Sequence, residues 1–405
     1  MRPARSPRTA AIGPFFCCNR QPRLPALFAQ KKMKIRLLLV GAALCACCAR
    51  VGAAELLSAE NPALVGAVRA AYLQGQAFLA SDIVALSQAN KDWSQGYDPR
   101  SGKNLALIST RVETGVRWRG FSLGYISRNE WWATADRDSL DIIRADRQNA
   151  NYDAGRNYSL DYHLRGFAAD GARLGKSFSH ALGSGWSLNW GAAASVLHGR
   201  RMRSEDISGS ATATGGRNFT ASADWTRDYS GTDTAAEGYV AAFLGGNSTG
   251  QGYAADFGLS LGRADGLRFE WVATDVLGRM SWSDIPEKTL SGSNLPGAAL
   301  PGGRKWRVEL TQRLPVKNAL SLSLPTRLGE FELADTFTQG VHLPRIGLSK
   351  RLNADWTARL DYETRFATLG LGLAYRWLQL SLRSDSFSLN RARAFGLGIG
   401  ARLEF

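Results

Sequence analysis

The last eleven residues alternate without a break: Phe395, Leu397, Ile399, Ala401, Leu403 and Phe405 share one face, and Gly396, Gly398, Gly400, Arg402 and Glu404 share the other. Side chains of a strand point to opposite faces with period two, so this segment is a strand with one apolar and one polar side. The same alternation recurs upstream. Trp356, Ala358, Leu360, Tyr362, Thr364 and Phe366 oppose Asp355, Thr357, Arg359, Asp361, Glu363 and Arg365, sets that a helix would mix. Leu369, Leu371, Leu373, Tyr375 and Trp377 oppose Gly370, Gly372, Ala374 and Arg376, while Trp306, Val308 and Leu310 oppose Lys305, Arg307 and Glu309. Tyr158, Leu160, Tyr162 and Leu164 likewise oppose Ser159, Asp161, His163 and Arg165.

The N-terminal region carries an export pattern. Met33 opens Lys34-Ile35-Arg36, an apolar run follows from Leu37 to Ala49, and Gly52-Ala53-Ala54 precede Glu55. A charged start, a short apolar stretch and small residues at the end make a Sec-type signal peptide over 33–54, with cleavage expected near Ala54. Residues 1–32 then read as a non-native or mis-annotated extension. All five cysteines (Cys17, Cys18, Cys45, Cys47, Cys48) precede the expected cleavage site, which leaves the mature chain no thiol chemistry. The formal charge of +15 shrinks in the same way. Residues 1–54 hold ten Lys or Arg and no acid, leaving 40 basic residues against 35 acids, so a nucleic-acid partner is not expected.

Past the leader, no stretch reaches the roughly 18 to 20 continuous apolar residues of a spanning helix. The other structure able to satisfy its backbone in lipid is a closed β-barrel. A Lys or Arg facing the bilayer midplane costs roughly 2 to 4 kcal/mol, so the charged rows are expected in the lumen and the apolar rows in lipid. Arg307, Glu309, Arg359, Asp361, Glu363, Arg365 and Arg402 are the expected lumen residues. Their mixed signs argue against a strongly ion-selective pore and fit a weakly selective lumen or one closed by its own salt bridges. An inverted soluble barrel, apolar row inside, shares the same periodicity.

The fold expected is all-β, an antiparallel up-and-down transmembrane barrel of about 16 strands, with 14 to 18 open. The barrel occupies 68–405, after an N-terminal periplasmic or plug segment at 55–67. Short turns at Arg119-Gly120, Gly183-Ser184-Gly185, Arg263 to Gly266 and Asn353-Ala354 are expected on the periplasmic side. Loops 83–103, 134–156, 200–216 and 283–302 are expected outside. Strands are expected at 157–182, 266–282 and 319–338, the first and last with internal turns as alternatives. Trp118, Phe121, Trp131, Trp132, Trp282, Trp306, Trp356 and Trp377 lie near strand ends, as an interfacial aromatic girdle requires.

The final strand ending in Phe405, with Leu403 and Phe395 on its apolar face, resembles the C-terminal signal of bacterial outer-membrane barrels. That resemblance implies recognition by the barrel-assembly machinery, residence in the outer membrane of a Gram-negative cell, and contact with outer-membrane lipid and lipopolysaccharide. Glu60-Asn61-Pro62-Ala63-Leu64 is similar to the Asn-Pro-Ala motif before the first strand of the FadL-like transporters and their TraF- and PorV-like relatives. The resemblance implies a hatch formed by Asn61, Pro62 and Ala63, and passive passage of a small or hydrophobic molecule. Asn-Pro also serves simply to set a turn, and that reading stays open beside it.

The alternative function is a structural or assembly barrel with a closed lumen that binds partner proteins. Catalysis has little support. His163, His180, His198 and His342 show no metal-ligand spacing, and Ser179 and His180, adjacent on a strand, point to opposite faces. Gly215-Gly216 and Gly245-Gly246 lack the following Lys-Ser/Thr of a phosphate cradle. No cofactor is expected.

Overall fold

The computed structural model describes residues 57, 60–66, 68–230, 250–296 and 304–405. The expected extension 1–32, the signal peptide 33–54 and Gly245-Gly246 lie outside the described residues. What is described is one antiparallel sheet closed on itself.

The strands are β1 (Ala70–Ser81), β2 (Asn104–Trp118), β3 (Phe121–Ala135), β4 (Asn157–Gly183), β5 (Trp186–Gly215), β6 (Asn218–Tyr229), β7 (Gly250–Arg263), β8 (Arg268–Thr274) and β9 (Arg279–Pro296). They continue as β10 (Arg304–Arg313), β11 (Lys317–Thr326), β12 (Gly329–Thr338), β13 (Val341–Arg351), β14 (Trp356–Glu363), β15 (Thr368–Tyr375), β16 (Leu378–Ser384) and β17 (Ala394–Glu404). A helix α1 (Arg137–Arg147) follows β3, capped by the Asp136 side chain, which accepts from the Ser139 N–H. Closure runs through β1 and β17, from Ala70↔Glu404 to Ala80↔Ala394. No sheet edge is left in that part of the wall, as lipid demands.

Three courses of the wall are each built from two segments. β6 and β7 both pair with β5, one with its upper and one with its lower half. β8 and β9 are one rising course broken at 275–278, and β10 and β11 one descending course broken at 314–316. With these pairs counted once each, the seventeen segments make fourteen courses, an even number inside the expected range.

The lower wall has the expected polarity. Leu123, Leu174, Val196, Ile346, Leu360, Leu371, Leu382 and Leu397 all stand exposed on the outer surface, while Arg111, Glu113, Arg173 and Asp361 are buried inside. A soluble barrel would reverse this. The upper wall departs from it, because β4, β5, β6 and β9 continue beyond the apolar belt as a taller sheet. Arg200 is an extra residue opposite Ala168 and Ala169, a bulge that exchanges the two faces of β5.

Several expected loops change here. Residues 200–215 belong to β5, 283–296 belong to β9, and α1 lies inside the expected loop 134–156. Their polar composition reads as loop, but a strand that has left lipid needs no apolar row. Tyr158 is not lipid-facing either. It packs with Ile142 of α1, Tyr152, Ala211 and Phe219, while Ile83, Val84 and Trp93 of the first long loop pack on Leu140 and Ile143. Loop and helix form a collar around the outside of the upper wall. The expected strand 266–282 breaks at Asp275, whose φ is 62°, residues 157–183 form one strand, and 319–338 splits at a turn between Thr326 and Gly329.

Candidate functional site: the lumen

The lumen is filled in three levels. An apolar layer crosses the upper part, built from Phe78, Trp132, Phe167, Met202, Met280, Trp282 and Phe366 with smaller neighbours. Trp132 and Trp282 therefore leave the expected girdle and turn inward. Trp118, Phe121 and Trp377 remain exposed at the lower rim, where an interfacial girdle belongs.

Below this layer lies a band of buried ion pairs. Arg128 meets Asp275 and Glu130 at 2.6 Å each, and Lys317 meets Glu130 at 2.6 Å. Arg173 bridges Asp256 at 3.0 Å and Glu113 at 3.4 Å, and Glu113 also accepts from the Tyr72 hydroxyl at 2.7 Å. Across the lumen, Glu332 joins Arg359 at 2.7 Å and Arg345 at 2.9 Å, and Asp361 joins Arg383 at 2.6 Å. Buried charge is tolerated only when paired and hydrogen-bonded. Four cations (Arg111, Arg128, Arg173, Lys317) face four carboxylates (Glu113, Glu130, Asp256, Asp275), so this group carries no net charge that would favour one sign of ion.

The lowest level holds the N-terminal segment. Asn61 has an extended backbone, and its side-chain oxygen accepts from the Ala63 N–H at 3.0 Å, setting the 3-10 turn Pro62–Leu64. Its amide donates to the Leu259 carbonyl of β7 at 3.2 Å. Two wall glycines make the seat. A Cβ at Gly258 would stand 1.9 Å from the Asn61 Oδ1, and one at Gly191 would stand 2.5 Å from the Pro62 carbonyl. Glu60 pairs with Arg117 of β2, and Leu57 reaches the apolar layer. Between segment, ion pairs and apolar layer the cavity near Phe78 and Arg345 is about 10 Å³, no more than one water's room.

Arg359, Asp361 and Glu363 lie on the inner side of the wall, and Arg402 lies at its lower end, 3.1 Å from Glu404. Arg365 sits higher, in the turn after β14, and pairs with Asp82 across the rim. Arg307 and Glu309 are elsewhere. β10 stands in the upper sheet, where Val308 and Leu310 turn inward against the apolar layer, so its charges face solvent and Arg307 pairs with the exposed Asp284. Leu403 and Phe405 are exposed on the outer face, and the Phe405 N–H donates to the Arg69 carbonyl at 3.0 Å. Phe395 pairs across to Leu79 of β1.

The charges of β2, β3, β7 and β11 are not among the expected lumen residues, although Arg111/Glu113 and Arg128/Glu130 repeat the two-residue spacing of lumen rows. The signal for Gly191 and Gly258 is a glycine inside a strand, which marks a close approach by another backbone. It does not say whose.

No protein-family model and no curated protein matches the chain. Among solved structures, the toluene transporter TodX of Pseudomonas putida is 10% identical with a TM-score of 0.38, over 86% of this chain and 91% of that one. A deltaS2S3 mutant of the TodX monoaromatic hydrocarbon channel is 11% identical with a TM-score of 0.41, over 85% and 92%. A FadL homologue of Pseudomonas aeruginosa is 12% identical with a TM-score of 0.38, over 84% and 90%. The chain's own hydrogen-bonded closure, outer apolar belt and charged interior make it a transmembrane β-barrel of the outer-membrane type.

Proposed function

We propose that this barrel is a gated outer-membrane channel for a small hydrophobic molecule and that its filled lumen is the shut state. The observation that carries the reading is the seat of Asn61, Pro62 and Ala63 on Gly191 and Gly258 inside the lumen. The segment is attached to the wall by few polar contacts and leads directly to the apolar layer through Leu57. Displacing it removes material from two of the three levels at once. An apolar layer in place of a water column suits an apolar solute, which exchanges side-chain contacts for its own, whereas an ion would lose hydration there. The balanced charge of the band below supports the same choice.

The test is entry of a small apolar fluorescent solute into cells with an intact outer membrane, joined to planar-bilayer recordings of the purified protein. Cells carrying the chain take up the solute faster than control cells, the purified barrel passes no steady ion current, and deletion of 55–67 raises both solute entry and current. Solute entry at the control rate in both forms, with proteins co-purifying on the barrel, would sink the channel reading in favour of a closed structural barrel.

A further inference from the structure

On the outer surface, one ladder level runs Tyr125↔Ala172↔Val196↔Tyr253↔Arg279↔Arg313 across six neighbouring strands. Its first four members continue the apolar belt. The last two are exposed guanidinium groups directly opposite each other, with no acidic partner among the described residues. Like charges facing each other across a ladder destabilise the pair unless an anion sits between them.

The height of this level gives the anion's source. An apolar belt about 25 Å tall, crossed by strands tilted about 40°, takes roughly ten to twelve residues per strand. Arg279 lies that far above the lower turn at 264–267, so its side chain stands where the outer leaflet's headgroups begin. Beside it is a groove of about 660 Å³ with Gly171, Ala172 and Gly252 on its floor and Val196 and Tyr253 as apolar walls. The next level up is polar, with His198 opposite Gln251 and Gln251 opposite Ser281. The acid in the groove, Asp170, is already paired with Arg200 at 2.8 Å. Acyl chains below, donors above and, between them, two guanidinium groups with no acidic partner among the described residues match an amphiphile with a phosphate at its neck.

We propose that this groove binds the phosphorylated glycolipid of the outer leaflet, with Arg279 and Arg313 holding its phosphate. The site is independent of the channel reading. Full-length protein purified in detergent is titrated with bisphosphorylated lipid A, its dephosphorylated form, phosphatidylglycerol and inorganic phosphate, with binding read by native mass spectrometry. Heat-modifiable migration confirms that each variant is folded. Bisphosphorylated lipid A binds wild-type protein at least tenfold more tightly than it binds Arg279→Gln/Arg313→Gln, while Arg279→Lys/Arg313→Lys stays within threefold of wild type. Equal binding by the Gln pair, or equal binding of dephosphorylated lipid A, overturns the proposal. Phosphatidylglycerol or inorganic phosphate binding as tightly as lipid A overturns the assignment to the glycolipid.

Discussion

Gly258→Val should unseat the N-terminal segment and leave the wall intact. The first added carbon falls 1.9 Å from the Asn61 Oδ1 and 2.8 Å from the Pro62 Cδ, both atoms of the segment. The segment then gives up the Asn61 amide bond to Leu259, worth about 1 kcal/mol net. It also re-exposes the buried Pro62, Ala63 and Val65, worth about 1 to 2 kcal/mol at 25 cal/mol per Å² of apolar area. A total of about 2 to 3 kcal/mol corresponds to a shift of roughly thirty- to a hundred-and-fiftyfold in occupancy. With the five native cysteines, all within residues 17–48, replaced by serine, an Ala63→Cys reporter is the one thiol that a membrane-impermeant maleimide can label. In the Gly258→Val background its labelling should rise by that factor, with heat-modifiable migration unchanged. Gly262→Ala is the control, since its nearest neighbour is the Ser187 hydroxyl at 3.6 Å. Unchanged labelling in Gly258→Val, or an equal rise in Gly262→Ala, would refute the seat.

Other expectations follow from the same geometry. Asp275→Asn strips one carboxylate from the buried Arg128 and should cost about 3 kcal/mol, seen as a lower temperature for loss of the folded band, whereas Asp284→Asn at the exposed Arg307 pair should leave that temperature unchanged. In the collar, burial and the Asp146 charge push the Tyr152 phenol up to about 12. Because its pKa in the fold exceeds the ordinary value of 10.0, the stability it contributes is complete below pH 10 and is lost as pH rises through 12. The 295 nm titration difference between wild type and Tyr152→Phe should have its midpoint near 12, and a midpoint near 10 contradicts the buried placement. Deletion of the exposed Phe405 should lower the amount of barrel in the outer membrane several-fold while leaving barrel refolded in detergent as stable as wild type; equal yields in cells would remove its role as an assembly signal.

The parts of this fold legible in the sequence are those in lipid. Residues 355–363, 369–375 and 394–404 show strict alternation because lipid on one side and a lumen crowded with charged side chains on the other, met by charges on the first segment and mostly by glycine on the other two, leave no latitude at either face. Above the belt that constraint ends. The upper half of β5, with Ser204, Asp206, Ser208 and Ser210, reads as a polar loop although it pairs continuously with β4 and β6. The breaks at 275–278 and 314–316 are also hard to see, because a kinked course carries the same residues as two strands. At the site, Asn61, Pro62 and Ala63 stood out by motif, but their seat depends on glycines about 130 and 200 residues away, and nothing local connects them. Arg307 and Glu309 misled because the alternation of β10 is genuine while its surroundings are reversed.

The most direct test of the gate is to lock it. A Cβ built at Gly258 lies 3.0 Å from the Asn61 Cγ, so Asn61→Cys with Gly258→Cys brings two thiols to a separation that a disulfide spans. Uptake of the apolar solute is measured in cells carrying this pair, oxidised and then reduced. The account predicts that oxidation abolishes uptake, that reductant restores it, and that neither single-cysteine variant responds. Uptake by the oxidised pair at the reduced rate would show that the segment does not gate the lumen.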